Sequence, residues 1–307
     1  MRVVFFGTPD FAVPSLAALS GEGFDVVAAV TQPDRPRGRS RSSVEPPPVK
    51  VAAQSLEIPV LQPERPSEGP FLERLGELAP DIGVVVAYGH ILKPELLALP
   101  KRGMVNLHPS LLPELRGAAP IEWAIIGGLT RTGVTIIQLD AGMDSGPILH
   151  QIPEDLPPEL TGGELAAHLA EVGAEALIEA LALLERGAIH PRAQDPARAT
   201  FAPKLTREHA RIDWSAPAER VARLVRALDP KPGAWTELEG RVVKLFGVAV
   251  TEGRGAPGEV LRAENSLLVA TGAGAVRLEE VQPEGKARMA SAAWVRGRGV
   301  RGDARFR

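Results

Sequence analysis

Residues 104–117, MVNLHPSLLPELRG, join a short apolar run to a loop rich in leucine and proline. Residues two apart in an extended strand share a face, so Asn106 and His108 should point the same way while Leu107 points into the layer beneath. Pro109 has no backbone N–H with which to continue a strand ladder. The pattern predicts a buried strand that ends at an amide and an imidazole. Alternatively, these two side chains only cap the turn.

Short apolar segments alternate with helical patterns around this strand. We predict strands at 2–6, 24–31, 58–62, 82–87, 103–108 and 132–140, and helices ending near 20 and at 48–57, 67–78, 121–127 and 161–187. Such alternation with short connections predicts an α/β domain with a doubly wound, mostly parallel, Rossmann-like sheet. Ligands of such sheets bind beyond the carboxyl ends of the strands, where the Asn-His pair lies.

The remainder of the chain has a different pattern. Prolines interrupt 190–206, which is typical of an interdomain linker. A helix at 217–228 and five short strands at 234–239, 241–250, 258–263, 266–271 and 275–282 then predict a small β-barrel of the oligonucleotide-binding (OB-like) type. We therefore predict a catalytic domain at 1–189, a linker at 190–206 and a C-terminal domain at 207–307.

Composition excludes several classes of protein. The chain has 307 residues, 44% of them hydrophobic, but no apolar run near the length of a membrane span, and it begins directly with a strand, so we expect a cytoplasmic protein with no membrane partner. It has no cysteine, and its six histidines are too scattered to form an H-x-x-x-H pair, so we expect no metal. The first strand–helix turn, GTPDFA, has only the first glycine of G-x-G-x-x-G, which argues against NAD.

Charge is divided unevenly along the chain. Residues 204–307 contain 19 Lys and Arg against 13 Asp and Glu, a net of +6, whereas residues 1–203 have a net of −9. This asymmetry suggests a nucleic-acid partner for the C-terminal part, although a solvated surface would give the same composition.

A second basic feature is the long segment at 32–48, QPDRPRGRSRSSVEPPP. In an extended conformation, Arg35, Arg37, Arg39 and Arg41 would project their guanidinium groups from one edge. Arginine binds phosphate with two parallel hydrogen bonds, and basic loops that become ordered on a partner commonly bind RNA. The alternative is a solvated loop without a partner.

Asp144 follows the strand at 132–140, in a loop with two glycines. Its carboxylate could orient the His108 ring, or Asp144 could simply stabilise a turn through its side chain. With Asn106, these residues form a set without a protein nucleophile, so the substrate would supply one. An amide that donates to an oxyanion contributes about 3 to 4 kcal/mol in acyl transfer, and a histidine that moves a proton about 10²- to 10⁴-fold. The set indicates acyl transfer to an amine.

Six stretches occur together along nearly the whole chain: GTPDFA (7–12), TQPDRPRGR (31–39), VVVAYGHIL (84–92), NLHPSLLPELRGAAPI (106–121), TGVTIIQLDAGMDSGPIL (132–149) and IDWSAPAERVARLVRALDPKPGAW (212–235). In this combination they resemble the folate-dependent formyltransferase family, and within it the enzymes that act on methionyl-tRNA. The N-x-H-x-S-L-L-P core with a later Asp is specific for formyl transfer but not for the acceptor. The arginine loop and the basic C-terminal module favour tRNA.

The resemblance implies roles for particular residues. Asn106, His108 and Asp144 would be catalytic. The co-substrate 10-formyltetrahydrofolate would be held by Tyr88, Gly89, His90, Ile91, Leu92, Ser110, Leu111, Leu112, Pro113, Asp140, Ala141 and Gly142. The initiator methionyl-tRNA would be bound by Arg37, Arg39 and Arg41, with Phe11 sensing the methionyl side chain and the barrel resting on the RNA backbone.

Two departures from the family pattern are visible. Pro109 stands where many members have glycine, which should stiffen the loop, and the segment after Arg39 loses a lysine pair often found there, so Arg41 should share the phosphate contacts. We expect a monomer. The alternatives are a formyltransferase for another amine, such as glycinamide ribonucleotide or an amino-sugar nucleotide, and a non-catalytic tRNA-binding module.

Overall fold

The computed structural model describes residues 1–37, 43–263, 266–297, 299–300 and 304–307. These form two compact units. The first comprises Met1–Gly117, Arg131–Asp155 and Ala166–Phe201, and the second comprises Ala118–Thr130, Leu156–Leu165 and Ala202–Arg307. The division differs from the predicted boundaries in assigning two earlier segments to the second unit, so those boundaries stay a prediction.

Seventeen strands and eight α-helices lie in the described part of the chain. The strands are β1 (Arg2–Gly7), β2 (Asp25–Val30), β3 (Arg35–Arg37), β4 (Ser43–Glu45), β5 (Val60–Leu61), β6 (Ile82–Val86), β7 (Met104–His108), β8 (Arg116–Gly117), β9 (Arg131–Gln138), β10 (Ile148–Asp155), β11 (Phe201–Ala202), β12 (Ala234–Leu238), β13 (Arg241–Thr251), β14 (Val260–Ala263), β15 (Leu267–Ala270), β16 (Ala275–Pro283) and β17 (Met289–Ala290). The helices are α1 (Val13–Gly21), α2 (Pro48–Ser55), α3 (Gly69–Glu77), α4 (Pro94–Leu97), α5 (Pro120–Gly127), α6 (Gly162–Glu185), α7 (Ala218–Ala227) and α8 (Ser291–Arg296).

The first unit is built on a seven-stranded sheet in the order β10-β9-β7-β6-β1-β2-β5. Strands β7, β6, β1, β2 and β5 are parallel, which confirms the predicted, mostly parallel sheet. The central strands β1 and β6 are buried almost throughout, as expected of Val-, Ile- and Phe-rich strands covered on both faces. The chain runs outward from β1 to β5 and then resumes on the other side at β6. This reversal marks β1 and β6 as the switch point where such sheets bind ligands.

One strand of this sheet, β10, was not predicted. It pairs antiparallel with β9 at the edge of the sheet. Its sequence, ILHQIPED, contains Pro153, which cannot donate a ladder hydrogen bond and weakens the strand signal. Proline is tolerated there because an edge strand has one unpaired side.

The second unit contains an antiparallel sheet in the order β12-β13-β16-β15-β14, with β17 added beside β16. All five predicted strands are present, and the sheet curls into a half-barrel. The chain end joins its two edges: the backbones of Glu237 in β12 and Arg307 exchange two hydrogen bonds, and Val260 in β14 donates to Ala304. Phe306 lies buried at this junction, so residues 304–307 complete the barrel core.

Local sequence explains α7 and the start of α6. In α7, AERVARLVRA, the buried residues include Val221 and Val225, four apart on one face of the helix. At the start of α6, Thr161 and Glu164 form a reciprocal capping box in which the Thr161 N–H donates to the Glu164 carboxylate and the Glu164 N–H donates to the Thr161 hydroxyl. Among the described residues, no helix is long and apolar enough to cross a membrane.

Candidate active site

Three loops meet at the carboxyl edge of the parallel strands β1, β2 and β6. The Thr8 hydroxyl and the Gln32 side-chain amide both donate to the Tyr88 carbonyl, at 3.0 and 3.1 Å, and the Gln32 N–H donates to Thr8. Gly89 has φ +83°, and a Cβ there would lie 2.6 Å from Gln32 Nε2. The backbone conformation therefore favours glycine, and a larger residue would also have to displace the Gln32 side chain.

His108 ends β7 on the same edge and is 4% exposed. Its Nε2 lies 2.9 Å from the Leu115 carbonyl oxygen. A carbonyl only accepts hydrogen bonds, so Nε2 carries the proton and Nδ1 is the basic nitrogen in the neutral ring. Nδ1 lies 3.8 Å from Asp144 Oδ2, which is beyond hydrogen-bond distance but close enough for strong charge interaction. The ring is thus oriented by Leu115, whereas the sequence assigned that task to Asp144.

The electrostatics of the site favour a neutral His108. Burial lowers the pKa of His108 below its ordinary value, while the Asp144 carboxylate and the Leu115 hydrogen bond act to raise it. Burial is the largest effect because a charged ring loses its hydration. At neutral pH the ring can accept a proton at Nδ1, and Asp144 is placed to stabilise the cation that forms.

Asp144 reaches His108 by a route that the sequence does not reveal. Strand β9 is antiparallel to β7, with Gln138 opposite Val105, so the loop after β9 starts at the far end of β7 from His108. The loop to β10 then returns along the strand. Its Asp144 accepts a hydrogen bond from the Gly117 N–H at 2.9 Å, which fixes the carboxylate.

Two residues beside His108 have left-handed backbones, a conformation that is unusual for Leu and less so for Asp. Leu115 has φ 59° and Asp144 has φ 48°, and neither is glycine. Such conformations persist only where surrounding contacts hold them, and they cluster at functional sites. The sequence did not predict a role for Leu115, because Leu115 contacts His108 through its backbone carbonyl. Every residue type has such a carbonyl, so the residue type gives no signal.

Residues 110–114, between β7 and β8, are held by hydrogen bonds with side chains of β9 and β10. The Ser110 hydroxyl donates to the Glu114 carbonyl, and the Thr135 hydroxyl of β9 donates to the Ser110 carbonyl, both at 2.6 Å. The Leu112 N–H donates to the Thr135 hydroxyl, and the Gln151 side chain of β10 donates to the Leu112 carbonyl. These hydrogen bonds make residues 110–114 a rigid support, and the predicted ligand residue Ser110 uses its hydroxyl internally.

The predicted folate residues divide into buried and exposed groups. Tyr88, Ser110, Leu112 and Pro113 are buried; His90, Leu92 and Leu111 are half-buried; Gly89, Ile91, Asp140, Ala141 and Gly142 are exposed. The Tyr88 ring packs edge-to-face on Phe6, and its burial raises the pKa of the phenol to about 12.

The exposed members lie on two loops that present apolar surface. Ile91 is 91% exposed and Met143, in the neighbouring predicted loop, is 64% exposed. Asp140 shapes the latter loop by accepting hydrogen bonds from the Gly142 N–H and the Ser145 hydroxyl, at 2.9 and 3.0 Å. Exposed apolar side chains beside fixed polar backbone suit a flat, partly polar ligand such as a pterin.

The arginine segment forms a hairpin at its base. Strands β3 and β4 pair antiparallel, with Arg35 opposite Glu45 and Arg37 opposite Ser43. The preceding Asp34 accepts hydrogen bonds from the Lys50 ammonium at 2.6 Å and from the Gln62 amide at 2.7 Å. Its pKa is lowered, first by the bond from Gln62 and then by that from Lys50.

The remaining predicted tRNA and methionyl residues are only partly visible. Arg39 and Arg41 lie outside the described residues. Phe11 is half-buried in a short 3₁₀ turn, Asp10–Ala12, directly after β1. Its assignment to the methionyl side chain stays a prediction, as do the roles of the arginines.

The site combines an amide, an imidazole and a carboxylate at the edge of a doubly wound sheet. None of these three groups is a nucleophile. Such a site is typical of enzymes that transfer a carbonyl carbon to a nucleophile brought by a substrate. Family models sharpen this class: one described as "Formyl transferase" matches residues 1–181, and one described as "Formyl transferase, C-terminal domain" matches residues 204–299. The chain belongs to the formyl transferase family, which confirms the resemblance seen in its motifs.

Curated relatives cover almost the full length. A methionyl-tRNA formyltransferase of Chloroflexus aurantiacus is 47% identical over 301 residues, covering 97% of each chain. One of Geotalea uraniireducens is 45% identical over 290 residues, covering 94% of this chain and 92% of the relative.

Solved structures show the same fold at lower identity. Methionyl-tRNA formyltransferase from Clostridium thermocellum matches with a TM-score of 0.59 and 15% identity, covering 83% of this chain and 95% of that one. HypX from Aquifex aeolicus, in complex with tetrahydrofolic acid, matches with a TM-score of 0.69 and 21% identity, covering 95% of this chain and 46% of that one. At these identities the likeness establishes the fold alone.

Proposed function

We propose that this protein transfers the formyl group of 10-formyltetrahydrofolate to the amino group of methionyl-initiator tRNA. The observation that carries the proposal is the placement of His108 between the Leu115 carbonyl and the Asp144 carboxylate, at the carboxyl edge of the sheet of a formyl transferase. The names of full-length relatives at 45–47% identity support methionyl-tRNA as the acceptor.

The reaction exchanges one bond to the formyl carbon for another. The neutral methionyl amine attacks that carbon and forms a new C–N bond, the bond from the carbon to folate N10 breaks, and the proton lost by the amine ends on N10. His108 accepts this proton at Nδ1, because Nε2 already holds one against Leu115. Asp144, 3.8 Å away, stabilises the transient imidazolium.

Asn106 has the complementary role of binding the developing oxyanion. It lies two residues before His108 in β7 and is half-buried, so strand alternation places it on the same face. An amide there donates to the formyl oxygen most strongly when that oxygen becomes negative, which is the condition for catalysis.

Recognition of tRNA is assigned to two basic regions. One is the arginine segment, with Arg37, Arg39 and Arg41, the last two of which lie outside the described residues. The other includes Arg207 and Arg211 in the second unit, whose exposed guanidinium groups lie 4.9 and 5.3 Å from the Trp235 ring centre. Stacking on an aromatic ring holds an arginine in place, and such cations bind an RNA backbone without reading its sequence.

Residues 1–189 form the catalytic domain and 207–307 the tRNA-binding domain, joined by 190–206. The protein acts as a monomer in the cytoplasm. Light scattering checks the oligomeric state. The protein alone should give a mass near 32.6 kDa, and its complex with tRNA should give the same protein mass once the mass of the tRNA is subtracted.

The deciding experiment supplies purified protein with 10-formyltetrahydrofolate and one acceptor at a time. Charged initiator tRNA, charged elongator methionyl-tRNA, glycinamide ribonucleotide and an amino-sugar nucleotide are compared by formyl incorporation. We expect the highest kcat/KM with the initiator. Efficient formylation of a small amine without use of either tRNA would replace the proposed acceptor, and no transfer to any acceptor would remove the proposed function.

A further inference from the structure

Residues 192–200, here called the brace segment, lie within the stretch that the sequence marks as a linker. In the structure they belong to the first unit and contact both loops that flank His108. The brace segment begins with two backbone hydrogen bonds, each 2.8 Å, between Arg192 and Ile148, the first residue of β10. This pairing fixes its start beside the Asp144 loop.

Gln194 uses its whole side-chain amide to join the two loops. Its Nε2 donates to the carbonyls of Asp144 and Gly146, both at 2.8 Å. Its Oε1 accepts two hydrogen bonds from the Arg116 guanidinium, at 3.1 and 2.7 Å. One side chain therefore ties the backbone that carries the Asp144 carboxylate to the residue that follows Leu115.

Thr200 holds the other side of the site. Its hydroxyl accepts a hydrogen bond from the Leu115 N–H at 2.8 Å, and its carbonyl accepts one from the Arg116 N–H at 2.9 Å. The Thr200 N–H donates to the Pro113 carbonyl. These contacts surround Leu115, whose left-handed backbone directs its carbonyl to His108 Nε2.

The two contacts act on opposite sides of one ring. Thr200 holds the carbonyl that accepts from Nε2, and Gln194 holds the loop whose carboxylate faces Nδ1. Leu115 and Asp144 both have left-handed backbones, which cost energy unless neighbouring groups hold them. Without the brace segment, both loops would lose these restraints and keep only the other hydrogen bonds, such as the one from the Gly117 N–H to Asp144.

We infer that Gln194 and Thr200 are positioning residues that fix the tautomer and the charge environment of His108. The role of this ring in formyl transfer rests on the proposed function, but its tautomer does not. The first measurement therefore needs no substrate. Nitrogen-15 NMR of histidine-labelled protein distinguishes a ring protonated at Nε2 from one protonated at Nδ1, and comparison with His108→Gln identifies the His108 signals.

Thr200→Val removes the hydroxyl but keeps the side-chain shape, and Gln194→Met does the same for the amide. Wild type should show the Nε2-protonated tautomer. We expect Thr200→Val to give a mixture of both tautomers and Gln194→Met to change the pH at which the ring titrates. Thr200→Ser, which retains the hydroxyl, should restore the wild-type spectrum. The control is Arg198→Ala, because the Arg198 side chain lies on the brace segment but, among the described residues, makes only an exposed ion pair with Glu114 at 3.4 Å.

Kinetics add a second measurement. Displacing a catalytic group by about 1 Å can lower a rate by roughly 100-fold, so Thr200→Val and Gln194→Met should lower kcat by roughly 10- to 100-fold. The KM for the folate should stay within about twofold, and Arg198→Ala and Thr200→Ser should behave as wild type.

The outcomes separate the inference from the proposed function. Wild-type tautomer, titration and kcat in both Thr200→Val and Gln194→Met would overturn the inference while leaving formyl transfer intact. Altered NMR signals in a protein that formylates no acceptor would support the brace segment and reject the proposed function. If either variant fails to fold, as judged by circular dichroism, its partner variant and Thr200→Ser still decide the question.

Discussion

Two loops leave the parallel strands β7 and β2 at the same edge of the first sheet, and the described residues of these loops are held in different ways. Residues 108–117, after β7, are fixed along their length by Thr135, Gln151, Gln194 and Thr200. The arginine hairpin, after β2, is anchored in the described residues at its base, where Asp34 meets Lys50 and Gln62.

The difference follows from what each loop must do. Acceleration of a chemical step requires groups that are already in place, since reorganisation during the reaction costs energy. Binding of a large, flexible RNA is better served by exposed arginines on an extended arm, because long-range charge attraction tolerates small errors in position. Substitutions in the first loop should therefore reduce the chemical rate, and substitutions in the hairpin should reduce the use of tRNA.

The largest effect is expected for His108→Ala. Loss of the group that moves the proton should lower kcat by about 10²- to 10⁴-fold, with little change in tRNA affinity. Single-turnover formylation and a filter-binding assay measure the two separately. His168→Ala is a matched control, because His168 is 49% exposed and pairs with Glu154 away from the site. Normal turnover in His108→Ala would remove the proposed role.

A somewhat smaller effect is expected for Asn106→Ala. Removal of one donor to an oxyanion costs about 10²- to 10³-fold in kcat in other acyl-transfer sites. The KM for the folate should change little, because the contact strengthens only as the oxyanion forms. A variant that raises KM and leaves kcat unchanged would show that Asn106 binds substrate without assisting the reaction.

Arg39→Ala tests the hairpin. Hydrogen bonds to charged groups contribute about 1.5 to 3 kcal/mol, so kcat/KM for initiator tRNA should fall by roughly 10- to 100-fold. The fold and the folate affinity should not change. Arg65→Ala is the control, since the Arg65 side chain is exposed and, in the part of the chain that the structure describes, pairs only with Glu68, three residues along the chain. Unchanged rates with initiator and elongator methionyl-tRNA would reject the hairpin as the tRNA contact.

Asp34→Ala tests the base of the same hairpin. Loss of the hydrogen bonds from Lys50 and Gln62 should weaken the anchoring of Asp34, the residue that precedes β3. Because this ion pair is only partly buried and its contribution is modest, we expect kcat/KM for tRNA to fall roughly two- to fivefold. Gln62→Leu, which removes only one donor, should give a smaller reduction. A fall in folate affinity instead would show that the anchor supports the active site.

Some features of the first unit can be predicted from sequence alone. The periodicity of hydrophobic residues predicts the alternation of strands and helices in the first unit. The alternation of side chains along a strand that ends at the sheet edge predicts that Asn106 and His108 lie on the same face. Asp144 is suggested by its place after a strand and its catalytic role by the family motifs, but its approach to His108 depends on the antiparallel β9 and cannot be predicted from a rule for parallel strands.

Other parts of the site cannot be predicted from amino-acid composition or from hydrophobic periodicity. The orienting group of His108 is the Leu115 carbonyl, and every residue type has a carbonyl. The brace segment is rich in polar residues and contains Pro196, so it has the composition of a linker even though Gln194 and Thr200 make specific hydrogen bonds. Interactions between backbone groups distant in sequence depend on the complete fold.

The smallest expected effect is a change in pH dependence for Asp144→Asn. Burial lowers the pKa of His108, and the Asp144 charge opposes that shift. Asparagine can still accept the hydrogen bond from the Gly117 N–H, but it carries no charge, so the pKa of His108 should fall further. The neutral ring is the form that accepts the proton, and in the variant it persists to lower pH. The acid limb of the kcat profile, measured between about pH 5 and 8, should therefore move downward even though kcat itself decreases. An acid limb that stays in place or moves upward would show that Asp144 does not act on this ring through its charge, and the rigid loop would then owe its chemistry to Leu115 alone.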